Sequence, residues 1–184
     1  MGVDPAGRVP TAGHATAIGT SGSPAIPHIR AGGRGGAIVI SSSTAGLYGG
    51  MANGNPGVMG YITSKHGVVG LMRPWANTPA PERIRVNTVH PNGVNSPMIT
   101  NEASGRFVQE FPTIAANLQN PLPVENGLIE REAVTNKILH LVSDTGRYIT
   151  GSTVLVDAGL RTTSGPAKDQ STAKYSVRFA VGNQ

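Results

Sequence analysis

The chain has no cysteine, so disulfide staples, thiolate nucleophiles and cysteine metal ligands are all excluded. It is also poor in aromatics, at 4% of 184 residues. It contains no run of 18 apolar residues, so no transmembrane helix is expected. The N-terminus has no basic start followed by an apolar block, so no secretory signal is expected and a cytoplasmic location fits. Acidic residues are missing from a long stretch: after Asp4 the next is Glu82. The formal charge of +5 comes from scattered Lys and Arg with few interleaved aromatics, which speaks against a nucleic-acid partner. The five histidines, His14, His28, His66, His90 and His140, show no metal-ligand spacing, so no metal site is expected.

Glycine and proline are plentiful, at 25 and 14 residues, and predict many turns. Residues 1–26 read as Gly/Pro/Ala/Thr low complexity without periodicity, and disorder or loop is expected there. Gly32–Gly36 leads into Ala37-Ile38-Val39-Ile40-Ser41, a short β-branched run that suits a buried parallel strand. A glycine-rich loop over 44–60 precedes a helix from about Gly60, with Val68, Val69, Leu71 and Met72 toward the core. Pro74 is expected to kink or stop that helix, and Pro79 and Pro81 to favour an extended exit. Ile84–Val89, closed by His90-Pro91, reads as a second strand, and Thr153–Val156 as a third, ending at Asp157-Ala158-Gly159. Between them lie a loop with a short helix (96–115) and a helix from Glu130 to about Ser143, with Val134, Ile138, Leu141 and Val142 on one face. The tail, 161–184, alternates at Tyr175, Val177, Phe179 and Val181; an edge strand and a frayed polar tail both fit. Strand–helix–strand–helix–strand predicts an α/β domain with a parallel sheet over 27–160. Its chemistry is expected at the carboxyl ends of the strands, where Ser43, Pro91–Ser96 and Asp157 fall.

Tyr61 and Lys65 stand four residues apart, one helical turn, on one face. An ammonium near a phenol favours the phenolate, and a tyrosine so poised can exchange a proton with an alcohol oxygen. Such a pair alone is common. Here it follows Ile38–Ser43 with Thr44-Ala45-Gly46, and precedes Ile84-Arg85-Val86-Asn87, His90-Pro91-Asn92-Gly93-Val94-Asn95-Ser96-Pro97-Met98, Tyr148-Ile149-Thr150-Gly151 and Val156-Asp157-Ala158-Gly159. No Gly-x-Ser-x-Gly elbow surrounds Ser43, which argues against serine hydrolysis.

This ordered set resembles the C-terminal part of the short-chain dehydrogenases/reductases, over Gly35–Leu160. Lys65–Arg73 and His90-Pro91-x-Gly93-Val94-Asn95 are similar to carveol-dehydrogenase-like, mycofactocin-coupled members, as is the separation of 18 positions between Ser43 and Tyr61. The resemblance implies a partial Rossmann-like sheet and hydride transfer between nicotinamide and a small-molecule secondary alcohol or ketone. It implies Tyr61 as general acid/base and Lys65 as the group that lowers its pKa and binds the cofactor ribose. Ser43 would hydrogen-bond the substrate oxygen, with Ser41 and Ser42 structural. Pro91, Val94 and Ser96 would line the nicotinamide side. Asn92 stands where many relatives have glycine. NAD is the implied cofactor; NADP stays open, because no selecting residue and no pyrophosphate turn is found. Gly19–Gly22 is the nearest candidate for that turn, but its flanks do not suit it. The nucleotide-binding N-terminal half is therefore expected to be missing, leaving the strand at 37–41 with an unpaired edge and the chain poorly soluble or fluctuating in fold. The alternative function is a non-catalytic module that pairs with full-length relatives through the 61–73 helix and the last strand; a homo-oligomer is the other partner expectation.

Overall fold

The computed structural model describes residues 25–49, 55–116 and 118–162. The low-complexity N-terminal 24 residues, the Gly19–Gly22 turn and the alternating tail lie outside the described residues. A helix over residues 25–31 (α1) opens the described chain, a feature that the reading of residues 1–26 as structureless did not foresee. There follow β1 (Gly36–Ser41), α2 (Pro56–Asn77), β2 (Ile84–Pro91), α3 (Glu102–Glu110), α4 (Pro112–Ala116), α5 (Arg131–Val142) and β3 (Thr153–Val156).

The three strands form one parallel sheet in the order β1-β2-β3. Gly36 pairs with Ile84 and Ser41 with Val89; Thr88 pairs with Thr153 and Pro91 with Val156. β2 is the central strand and is buried along almost its whole length, as a strand covered on both faces must be. Side chains alternate across it. Val86 joins Ile40, Val68, Met72 and Ala76 in the core under α2. On the other face Arg85 reaches the end of α5. The two long helices thus cover opposite faces. β1 has β2 as its one strand partner among the described residues. No helix among the described residues is long and apolar enough to cross a membrane.

Four details of the helices differ from expectation. α2 starts at Pro56 instead of near Gly60. Asn55 caps it, its Oδ1 accepting from the N–H groups of Gly57 (2.9 Å) and Val58 (3.4 Å), and Pro56 suits the first turn, where its missing N–H costs nothing. The helix also runs through Pro74 to Asn77. Pro74 cannot donate to the Gly70 carbonyl, but both residues lie on the exposed face, where water can serve that carbonyl. Burial of Val68, Met72 and Ala76 against the sheet outweighs the lost bond. Its exit is a 3-10 turn, Ala80–Glu82, closed by Arg83 at φ 60°, instead of an extended segment. Gly35 packs there: a Cβ on it would lie 2.6 Å from the Arg83 carbonyl oxygen. In α5 Leu141 is fully buried and Val134 and Ile138 partly so, but Val142, one position or about 100° further round the helix, is 44% exposed.

The carboxyl end of α5 is held by Arg85. Its guanidinium donates to the carbonyls of Leu141, Gly146 (2.8 Å), Val142 (3.4 Å) and Ser143 (3.4 Å). A cation at this end also opposes the helix dipole. Arg85→Met keeps the stem and loses every bond. It is expected to lower the unfolding free energy by about 1.5–3 kcal/mol, read as a lower denaturant midpoint at unchanged slope.

Candidate active site

β1 ends at Ser41, and the chain turns at once into a 3-10 turn, Thr44–Gly46, capped by Ser43. The Ser43 Oγ accepts from the Ala45 N–H at 3.2 Å, which leaves its own proton to donate. The turn lies against α2. Ser42 Oγ donates to the Lys65 carbonyl at 3.2 Å, and Lys65 Nζ donates to the Ser41 carbonyl at 3.3 Å. Gly46 permits this approach: a Cβ there would sit 2.6 Å from the Lys65 carbonyl oxygen and 2.7 Å from Ser42 Oγ.

Tyr61 is thereby brought close to Ser43, whose side chain acts on its phenol. Its ring packs on a cluster of Ala45, Val58, Ile62 and Ile114, together with Phe107, Phe111 and Leu118. Lys65 Nζ lies 5.6 Å from the centre of the Tyr61 ring. Ser43, Tyr61 and Lys65, named from sequence, therefore share one place. The electrostatics differ from expectation. Burial pushes the Tyr61 pKa up, with the Ser43 side chain offsetting part of the rise. Burial likewise pushes the Lys65 ammonium down. Removal from water disfavours each charged form, and the ammonium donates to a backbone carbonyl as it lies near the ring.

Pro91, Val94 and Ser96 sit on the continuation of β2 at the same end of the sheet. Pro91 pairs with Val156. Val94 forms a parallel bridge with Ile129, made by the Gly93 carbonyl (2.8 Å) and the Asn95 N–H (2.9 Å). That pattern leaves the Val94 N–H and C=O directed away from Ile129. The Ser96 carbonyl accepts from the N–H groups of Ile99 and Thr100, both at 2.9 Å, and starts the turn before α3. Val94 and Ser96 are held by these local partners and not by the Ser43–Tyr61–Lys65 group. Asp157 is tied up in its own turn, accepting from the N–H groups of Gly159 (3.1 Å) and Arg161 (2.9 Å). Among the described residues no group of three His, Asp or Glu is placed to hold a metal.

Motif reading used His90 to mark the loop after β2 but gave it no role in the site. It is fully buried at the end of β2. Nδ1 bonds the Ser43 carbonyl at 2.8 Å and Nε2 bonds Thr88 Oγ1 at 2.7 Å. A carbonyl only accepts, so Nδ1 carries the proton. The one available signal was its strand-end position, next to the predicted serine.

With this geometry in place, similarity to known proteins becomes decisive. The family model described as enoyl-(acyl carrier protein) reductase matches residues 22–161. The chain belongs to the short-chain dehydrogenase/reductase family. An uncharacterized oxidoreductase of Mycobacterium tuberculosis is 49% identical over 140 residues, 73% of this chain and 49% of the relative. The (-)-trans-carveol dehydrogenase of Rhodococcus erythropolis is 48% identical over 143 residues, with the same two coverages, 73% and 49%. The crystal structure of carveol dehydrogenase from Mycobacterium avium in complex with NAD matches with a TM-score of 0.64 and 36% identity, over 75% of this chain and 50% of that one. This short-chain dehydrogenase/reductase chain thus spans about half the length of the curated relatives it matches. Its three-stranded parallel sheet is the Rossmann-like arrangement of those proteins.

His90 supplies a pH test. Its pKa is lowered from the ordinary 6.5 by burial first, opposed by its bond to Ser43 and furthered by the charges of Lys65 and His66. Below pH 6.5 the unfolded chain binds a proton that the folded chain refuses. The stability contributed by neutral His90 is complete above that pH and is lost as pH falls through the window beneath it. His90→Gln is expected to flatten this part of the stability–pH curve, followed by denaturant unfolding at successive pH values.

Proposed function

We propose that this chain carries the proton-handling part of an NAD-dependent alcohol dehydrogenase acting on a secondary alcohol or its ketone. The observation that carries the reading is the meeting of Ser43, a half-buried phenol at Tyr61 and a partly desolvated ammonium at Lys65 at the carboxyl end of the sheet. A substrate hydroxyl beside Ser43 Oγ would be oriented by that donor, and its proton would pass to Tyr61 as the carbinol carbon is oxidised. In the reverse direction Tyr61 gives the proton to the carbonyl oxygen. Lys65, when charged, would favour the ionised phenol against the effect of burial.

The residues fit the ribose–nicotinamide end of a dinucleotide. Ser41 takes one of the three N–H bonds of Lys65, which leaves two for the hydroxyls of a diol. The Val94 backbone groups, directed away from Ile129, suit a carboxamide. Pro91 shapes the turn toward them, and Ser96 can donate through its hydroxyl. When bound, nicotinamide would supply the hydride acceptor or donor. The relatives named above are an oxidoreductase and alcohol dehydrogenases, one of them in complex with NAD, which favours this reading over a purely structural module. On the same reading, the β1 edge away from β2 and the exposed face of α2 are where a second copy or a longer relative would pair.

NAD binding by calorimetry and alcohol-dependent NAD reduction test the proposal together. Oxidation is expected to rise with pH well into the alkaline range, because burial raises the Tyr61 pKa. Tyr61→Phe should lower kcat by about 100-fold or more while NAD still binds. Full turnover in that variant would refute the role of Tyr61, and absence of both NAD binding and turnover in the unaltered chain would refute the proposal.

A further inference from the structure

Asn92 bridges two parts of the molecule. Its backbone N–H donates to the Val156 carbonyl at 3.1 Å, fixing it at the end of the sheet. Its side-chain Nδ2 donates to the Leu118 carbonyl (3.1 Å) and to Asn120 Oδ1 (2.7 Å). Asn120 in turn donates through Nδ2 to the Gly127 carbonyl at 3.1 Å, closing the segment on itself. At its far end the same segment is joined to the stretch after β2 by the bonds between Ile129 and Gly93 and Asn95. Residues 118–129 are therefore clamped at both ends to residues 92–95.

What the near clamp positions is chemically specific. Leu118 packs on the cluster that carries Tyr61, beside Phe107, Phe111 and Ile114. Tyr61, Phe107, Phe111 and Leu118 all pack on that one cluster, so an apolar wall stands in the part of the molecule that holds the phenol. We infer that Asn92 is a positioning and specificity-determining residue: through Leu118 and Asn120 it holds this wall in place, so that the site favours secondary alcohols with a bulky hydrocarbon body. The inference rests on the proposed alcohol chemistry for its substrate, but the clamp itself can be read without turnover. An aspartate at position 92 keeps the shape and loses both side-chain donations; an alanine loses the side chain altogether.

Hydrogen exchange by mass spectrometry on the full chain gives the first test. Asn92→Ala and Asn92→Asp are expected to speed exchange of the amides at 118–128, including that of Leu122, which donates to the Ala158 carbonyl, while α2 and β2 keep their protection. Unchanged exchange at 118–128 would overturn the inference whether or not the chain is active. Asn120→Ala breaks the same clamp from its other side and serves should either Asn92 variant fail to fold. The second test compares cyclohexanol with 2-propanol. The variants should raise KM for cyclohexanol roughly tenfold and leave kcat and the pH profile with 2-propanol unaltered. Equal losses on both alcohols would mark a general structural role and refute specificity. An unaltered chain that oxidises neither alcohol would count against the proposed function, with the exchange result still deciding the clamp.

Discussion

The site depends on how closely the turn after β1 lies against the middle of α2. Three features make the contact. Gly46 presents no side chain to the Lys65 carbonyl, Ser42 donates to that carbonyl, and Lys65 donates back to Ser41. The backbone of the strand end and that of the helix are thus locked to each other around one lysine. Because an α-helix fixes neighbours four residues apart on one face, locking Lys65 also fixes Tyr61. Because Ser43 follows Ser42 in the same turn, its hydroxyl arrives at the phenol. A methyl at position 46 would push the turn off the helix, and it would separate the serine from the tyrosine without touching either.

Burial then sets the chemistry. A phenol and an ammonium taken out of water both lean toward their neutral forms, and here the two shifts run in opposite directions on the pH scale. Burial disfavours the charged pair that motif reading anticipates. The stored cost is what makes the site responsive: any polar or charged group that enters beside Lys65 and Tyr61 changes their ionisation more than it would at a surface. His90 belongs to the same economy. Its neutral ring braces the Ser43 carbonyl, and a charged one would face Lys65 and His66.

Much of this was legible in the sequence, for identifiable reasons. The strands at Gly36–Ser41, Ile84–Pro91 and Thr153–Val156 are short β-branched runs bounded by glycine and proline, and such runs leave few alternatives. Tyr61 and Lys65 could be paired because helical spacing is local. Pro74 misled because its cost was judged alone, whereas burial of Val68, Met72 and Ala76 decides the length of α2. The start of α2 was missed because its signal is a cap, Asn55 before Pro56, and not a periodicity. The pKa directions could not be read, because they depend on how much protein surrounds each group. The Asn92 clamp was illegible for a related reason. It joins positions 26 and 28 residues apart along a stretch whose own pattern carries no period.

One short stretch, residues 90–95, therefore makes several of the connections described above. His90 braces the carbonyl of Ser43, Asn92 holds the wall beside Tyr61, and Gly93 and Asn95 fix Val94 against Ile129. All of these leave the end of the central, most buried strand of the sheet. A central strand is the part of a fold least free to move, since its neighbours on both edges and both faces must move with it. Placing the connections there gives loops of irregular sequence a rigid origin.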